Sequence, residues 1–181
     1  MKHCIRTAIL CLFGVVGVHA ADEPQSVKHR VTGLFSPDRQ NDLREVLKEL
    51  PDVKLVSIDY RNSEAMFLYD ADKLFNRPKP EQISERFDNL LRSVSNSTFG
   101  IRSLVTTPKD KLEIIEIPVV GLDCKGCCLA AYEAIYKIDG VEQATASFRD
   151  GFVTALINPE KTNRAALEEA LKMKRVELKA P

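Results

Sequence analysis

The sequence is poor in the residues that several functional classes need. It contains no Trp, only 3 His and 7% aromatic residues in a chain of 181. This composition leaves few side chains for stacking nucleic-acid bases, for a His-rich metal centre or for a His-based catalytic dyad. The 26 Lys and Arg residues balance 26 Asp and Glu residues, and no basic run occurs. Because nucleic-acid binding needs a basic surface, we expect no nucleic-acid partner.

The sequence also has no apolar run of the length that a bilayer requires. Its apolar stretch at residues 7–18 is shorter than the roughly 20 residues of a membrane-spanning helix. Lys2 and Arg6 precede this stretch and the small residue Ala20 follows it, which is the layout of a secretory signal peptide. We therefore expect residues 1–20 to be removed, and the rest of the chain to be exported to the periplasm or secreted without stable membrane insertion.

Cysteine is scarce, and its placement is uneven. Cys4 and Cys11 fall within the expected signal peptide, so the exported chain keeps only Cys124, Cys127 and Cys128. An odd number of cysteines within five residues cannot form a disulfide framework. The cluster therefore points to local thiol chemistry.

An internal repeat organises what remains. Residues 31–34 (VTGL) align with residues 119–122 (VVGL) at an offset of 88, and the register holds without a gap for about forty residues. Core-type residues recur at this offset, for example Leu47 with Ile135 and Tyr60 with Phe148. The repeat predicts two similar domains of about 70 residues each, a size sufficient for a two-layer fold.

The pattern of the second copy predicts the order βαββαβ. The Ile-rich residues 112–117 predict a strand that ends or bulges at Pro118, and apolar residues at helical spacing follow from Cys127. Asp150-Gly151 predicts a hairpin, and Asn163 is a typical N-cap for the second helix. A short strand at residues 175–178 completes the order.

The first copy follows the same order, with Ser36 as the predicted N-cap and Pro37 at the first helical position. We predict an α+β protein made of tandem ferredoxin-like βαββαβ domains, in which two helices cover one face of each antiparallel sheet. The domains are expected at residues 27–105 and 112–179, with a linker at residues 106–111.

Residues 121–127 (GLDCKGC) lie between the first strand and the first helix of the second copy, which gives the Cys124/Cys127 pair a mechanism. Two cysteines three apart at a helix start lie on one face, and the free N–H groups and dipole there favour thiolates. Two soft thiolates without further donors suit Cu(I) best, with Hg(II), Cd(II) and Zn(II) as competitors. A structural zinc site would require four ligands.

A GLDCKGC loop in a βαββαβ unit resembles the heavy-metal-associated domain of copper chaperones, copper-transporting ATPases and periplasmic mercury-binding proteins, over about residues 112–179. Against the family pattern GMxCxxC, the resemblance implies that Cys124 and Cys127 are the metal ligands. It also implies that Gly121, Leu122 and Lys125 support the loop, with Leu122 replacing the usual Met. A domain of this family is not an enzyme, and its partners are metal donor or acceptor proteins with thiol ligands.

Two features depart from the family. Cys128 lies outside the usual pair and is open to three interpretations: a third ligand, a resolving thiol or a small buried residue. In the first copy, Ser36 and Arg39 occupy the positions of the two cysteines. Because a hydroxyl and a guanidinium cannot hold a soft cation, the first copy is predicted to be a degenerate domain without metal.

Three other interpretations of the same chain remain open. CxxC at a helix start is also typical of thiol–disulfide redox proteins, and an exported compartment could oxidise the pair. The two thiols could instead be buried structural residues, or the chain could be an interaction module that kept only the fold. The hypothesis that we carry forward is an exported protein that binds one heavy-metal ion, with Cu(I) favoured, for transfer or sequestration.

Overall fold

The computed structural model describes residues 24–179, so the predicted signal peptide lies outside the described residues. The chain forms two units in sequence. The elements of the first unit are β1 (Gln25–Thr32), α1 (Arg39–Val46), β2 (Lys54–Asp59), β3 (Glu64–Tyr69), α2 (Ala71–Phe75), α3 (Pro80–Val94) and β4 (Gly100–Arg102). Those of the second unit are β5 (Glu113–Val120), α4 (Lys125–Ile135), β6 (Val141–Ser147), β7 (Phe152–Ile157), α5 (Arg164–Met173) and β8 (Glu177–Leu178).

Each unit is built on one antiparallel four-stranded sheet, and the two sheets have equivalent topology. The strand order is β2-β3-β1-β4 in the first unit and β6-β7-β5-β8 in the second. The first and third strands of each unit therefore lie at the centre. This topology confirms the predicted tandem ferredoxin-like fold, and the first unit adds the short helix α2, which the pattern did not predict.

The repeat seen in the sequence is also a repeat of structure. The offset of 88 places β1 on β5 and β3 on β7 with identical bounds. The core of the second unit shows why the register is fixed, because alternate residues of β5 point inward while α4 and α5 cover them. The principal contributors are Ile115, Ile117, Val119, Ala131, Ile135, Leu167 and Leu171.

Three local predictions were wrong. β5 continues through Pro118 to Val120, because the Pro118 carbonyl faces the short strand β8 and the missing N–H removes no bond to β7. Helix α1 begins at Arg39 rather than Pro37, and the Ser36 hydroxyl donates to the Asp38 carboxylate instead of capping the helix. Phe148, expected in the core, is 63% exposed in the turn after β6.

The two units are joined through the loop between β1 and α1. Phe35 in this loop is only 2% exposed and packs in the core of the second unit, 5.6 Å from the ring of Tyr132. The Gly33 N–H donates to the Tyr132 hydroxyl at 2.9 Å, and the Ala146 N–H on the edge strand β6 donates to the Phe35 carbonyl at 3.0 Å. The loop therefore covers part of a sheet edge that would otherwise be unpaired.

Charged groups extend this interface. Arg30, which is buried, pairs with Glu142 at 2.7 Å. Arg102 donates to the Tyr136 carbonyl at 2.9 Å and lies over the ring of the same residue. Phe35 and both arginines come from the first unit. Phe35 completes the core of the second unit, and the arginines add polar contacts across the interface.

We predict that Phe35→Ala destabilises the chain strongly, because it opens a cavity at a fully buried aromatic site, a change that costs about 3–5 kcal/mol. The measurement is the free energy of unfolding from urea denaturation. Phe148→Ala is the matched control, since the same truncation at an exposed site should change stability by less than about 0.5 kcal/mol. Equal losses in the two variants would contradict the interface described above.

Candidate metal centre

The loop that carries the cysteine pair joins the end of β5 to the start of α4. Gly121 has a φ of +80°, a conformation that favours glycine, and it turns the chain out of β5. A Cβ at this position would meet no atom within 4 Å, so glycine is needed for its backbone and not for lack of space. The Leu122 side chain is buried in the core of the second unit, and it anchors the loop there.

Cys124 is the N-cap residue of α4. Its backbone is extended, and its Sγ accepts a hydrogen bond from the Cys127 N–H at 3.1 Å. Sulfur thus takes the role that a Ser or Asp oxygen usually has at a helix start. Cys124 is exposed, Cys127 is half-buried, and both are free thiols.

The surroundings of the two thiols shift their pKa values in opposite directions. The pKa of Cys124 is lowered, first by a side-chain hydrogen bond from Cys127 and then by the Cys127 backbone N–H. The pKa of Cys127 is raised, first by a side-chain hydrogen bond to Cys124 and then by partial desolvation. The hydrogen bond from the Cys127 N–H and the helix N-terminus therefore both favour negative charge on the Cys124 sulfur.

Cys128 faces away from this pair. It is buried in the core, and its thiol donates to the Leu122 carbonyl at 3.8 Å. Burial raises the pKa of this thiol. Within residues 24–179, no cluster of three or more His, Cys, Asp or Glu side chains is arranged to hold a metal ion. The geometry thus favours the interpretation of Cys128 as a small buried residue.

Lys125 lies between the two cysteines but points to the first unit. Its ammonium pairs with Asp38 at 3.2 Å and with Asp42 at 3.3 Å, and these carboxylates raise its pKa. Both acids lie at the start of α1. Sequence reasoning missed them because they are more than 80 residues away from Lys125 and no motif links the two segments.

The corresponding loop of the first unit has different chemistry. Arg39, at the position of Cys127, donates to the Gly33 carbonyl at 3.1 Å, pairs with Asp42 at 2.6 Å and lies 4.2 Å above the ring of Phe99. Ser36 bonds to Asp38. These contacts tie the arginine to its own unit, and the loop contributes to the interface instead of presenting two soft donors.

We predict that iodoacetamide at neutral pH modifies the reduced, folded chain in the order Cys124, then Cys127, with Cys128 protected until the chain unfolds. A lowered pKa leaves more of the reactive thiolate at a given pH, and burial blocks access. Peptide mass spectrometry after timed quenching gives the three rates. Modification of Cys128 in the folded chain, or of Cys127 before Cys124, would contradict this order.

None of the described helices is long and apolar enough to span a bilayer. No protein-family model matches the chain. Among curated proteins it is 24% identical over 137 residues to a copper-exporting P-type ATPase of Staphylococcus saprophyticus. This match includes 76% of the chain but only 15% of the ATPase.

The solved structures to which the chain is similar include one of single-domain size and one that spans most of the chain. Oxidized MerP from Ralstonia metallidurans is 20% identical, with 38% of this chain and 94% of MerP covered at a TM-score of 0.36. The water-soluble region of the P-type ATPase CopA from Bacillus subtilis is 19% identical, with 88% and 92% covered at a TM-score of 0.35. In its loop sequence and element order, the second unit resembles heavy-metal-associated domains.

Proposed function

We propose that the chain is an exported carrier or scavenger that binds one soft metal ion, Cu(I) in preference, through Cys124 and Cys127. The observation that carries the proposal is the pair of free thiols at the N-terminus of α4, one of them the cap itself. Both sulfurs lie within one turn, and the helix end favours their negative charge. Nothing in this role requires a catalytic group, so we propose a binding protein and not an enzyme.

The choice of metal follows from the donors. Within residues 24–179 no group of three or more His, Cys, Asp or Glu side chains is arranged to hold a metal ion, and two thiolates alone match the softness and low coordination number of Cu(I). Zn(II) would need two further ligands, and Cys128 is turned into the core. Hg(II) also suits two thiolates and Cd(II) suits them less well, so the supply of metal in the compartment decides among these ions.

Lys125 links the cysteine loop to the first unit. With its ammonium held by Asp38 and Asp42, it forms an ion pair with the first unit and is not directed at the sulfurs. The first unit therefore contributes to the site without binding metal itself, since Ser36 and Arg39 replace the ligands. We propose this supporting role as the reason for its position against the second unit.

Transfer is proposed to occur by ligand exchange. The exposed Cys124 allows a thiol of the donor or acceptor protein to attach to the bound ion as a third ligand before one resident cysteine leaves. Low coordination makes this step accessible, because the ion never loses both ligands. The partner is accordingly a protein with thiol ligands, met in the periplasm or outside the cell if residues 1–20 direct export.

The second candidate function is thiol–disulfide exchange by the same pair. An exposed Cys124 whose pKa is lowered, beside a Cys127 whose pKa is raised, is the arrangement that an attacking thiolate and its resolving partner need. Metal binding and thiol–disulfide exchange require different redox states of the two cysteines, because an oxidised pair cannot hold Cu(I). The two functions are therefore separable by experiment.

We predict that the reduced chain, titrated anaerobically against a competing Cu(I) chelator, binds one equivalent of Cu(I) far more tightly than Zn(II). Cys124→Ser should abolish tight binding because a single thiolate remains. Cys128→Ser is the matched control, and it should retain Cu(I) affinity to within about tenfold, the lower end of the loss that removing an outer-shell contact brings. Weak binding of both metals together with a readily cycling disulfide would favour the redox function.

A further inference from the structure

The Lys125 side chain crosses from the cysteine loop to the first unit. Its ammonium lies 3.2 Å from a carboxylate oxygen of Asp38 and 3.3 Å from one of Asp42, so two carboxylates share one cation. The Cys124 sulfur, by contrast, accepts its hydrogen bond from the Cys127 N–H. The cation that lies between the two cysteines in the sequence is therefore engaged by the first unit.

Both carboxylates are fixed by contacts within the first unit. Asp42 pairs with Arg39 at 2.6 Å, and Arg39 also donates to the Gly33 carbonyl at 3.1 Å. Asp38 accepts a hydrogen bond from the Ser36 hydroxyl. Because none of these contacts involves the second unit, the carboxylates have a defined position at the start of α1 and form a ready site for the ammonium.

Lys125 is also close to the thiol pair along the chain. It follows Cys124 directly and is the first residue of α4. Its side chain is 65% exposed, so packing does not fix its direction. A lysine side chain is a flexible four-carbon stem with a compact charge at its end. If the carboxylates released the ammonium, it could therefore move to the sulfurs.

The charge of the proposed metal complex makes the position of this ammonium important. One positive charge on Cu(I) and two negative charges on the thiolates leave the complex with one net negative charge. A cation beside such a complex stabilises it. At a separation of about 4 Å in water, one charge pair changes an equilibrium by about fivefold, and dissolved salt reduces this effect.

We propose that Asp38 and Asp42 are positioning residues that hold the Lys125 ammonium away from the metal–thiolate complex and so limit how tightly the site retains Cu(I). The inference rests on the proposed function and extends it. Although the first unit has no metal ligands of its own, it lowers the retention of the ion by its neighbour. The arrangement thus favours transfer of the metal to a partner over sequestration.

A double-mutant cycle tests this effect on Cu(I) affinity, measured anaerobically by competition with a Cu(I) chelator. Lys125→Met removes the ammonium, and Asp38→Asn/Asp42→Asn removes the charges that hold it. In the unchanged background, Lys125→Met should alter the affinity by less than about twofold, because the ammonium is already held away. In the Asp38→Asn/Asp42→Asn background, Lys125→Met should weaken binding by about threefold to fivefold, because a released ammonium is then lost from the complex.

The same cycle can be measured without metal, through the charge near Cys124. Iodoacetate is an anion and iodoacetamide is neutral. Both react with the thiolate, so the ratio of their rates does not depend on how much thiolate is present. Tandem mass spectrometry gives the two rates at Cys124. Lys125→Met should lower the ratio of iodoacetate to iodoacetamide by about threefold in the Asp38→Asn/Asp42→Asn background, and by less than about twofold in the unchanged chain.

Two further comparisons separate the placement of charge from loss of structure. Asp38→Asn alone keeps the pair of Arg39 and Asp42, and it should produce a smaller change in the same direction. Asp52 pairs with Lys73 at 2.8 Å, so Asp52→Asn with Lys73→Met is a matched control cycle. This control should leave the Cu(I) affinity and the reagent ratio unchanged. Urea denaturation establishes that each variant is folded.

Failure of this inference is distinguishable from failure of the proposed function. If the chain binds Cu(I) tightly but Lys125→Met has the same effect with and without the two carboxylates, the inference is overturned. Coupling in the reagent ratio without coupling in Cu(I) affinity also overturns it, since the ammonium then has no influence on retention. If the reagent ratio shows the coupling but Cu(I) does not bind tightly, the proposed function fails, and the inference fails with it.

Discussion

The insertion of Phe35 into the core of the second unit is the contact on which the arrangement of this chain depends. A residue from the loop that corresponds to the cysteine loop completes the core of the neighbouring unit, and its carbonyl accepts a hydrogen bond from the Ala146 N–H on the edge strand β6. With the loop fixed there, Asp38 and Asp42 at the start of α1 reach Lys125. The loop of the first unit that corresponds to the cysteine loop is therefore the joint that holds its carboxylates against Lys125.

Much of the fold could be predicted because local pattern and repeat agree. The offset of 88 fixes β1 on β5 and β3 on β7, and Asn163 caps α5 through its side chain as its position before an apolar stripe indicates. Predictions from the sequence pattern failed where tertiary contacts determine the local structure. Pro118 stays within a strand because its missing N–H faces β8, which pairs only with the last two residues of β5. Phe148 is exposed although its repeat partner Tyr60 is half-buried.

The candidate site, like the fold, could be predicted only in part. The placement of Cys124 and Cys127 at a helix start follows from spacing and from the strand–turn–helix pattern, and in the structure the Cys127 N–H donates to the Cys124 sulfur. The orientation of Cys128 depended on which face of α4 meets the core, and periodicity alone left that choice open. The carboxylates around Lys125 belong to the other unit, so no local sequence feature could have revealed them.

In the proposed site, one two-coordinate ion is held by Cys124 and Cys127 alone. X-ray absorption spectroscopy at the copper edge of the Cu(I)-loaded chain measures the number and kind of ligands directly. We expect two sulfur neighbours and an edge typical of linear Cu(I), with no change in Cys128→Ser. A third sulfur that disappears in Cys128→Ser, or nitrogen and oxygen neighbours in place of sulfur, would contradict the site described here.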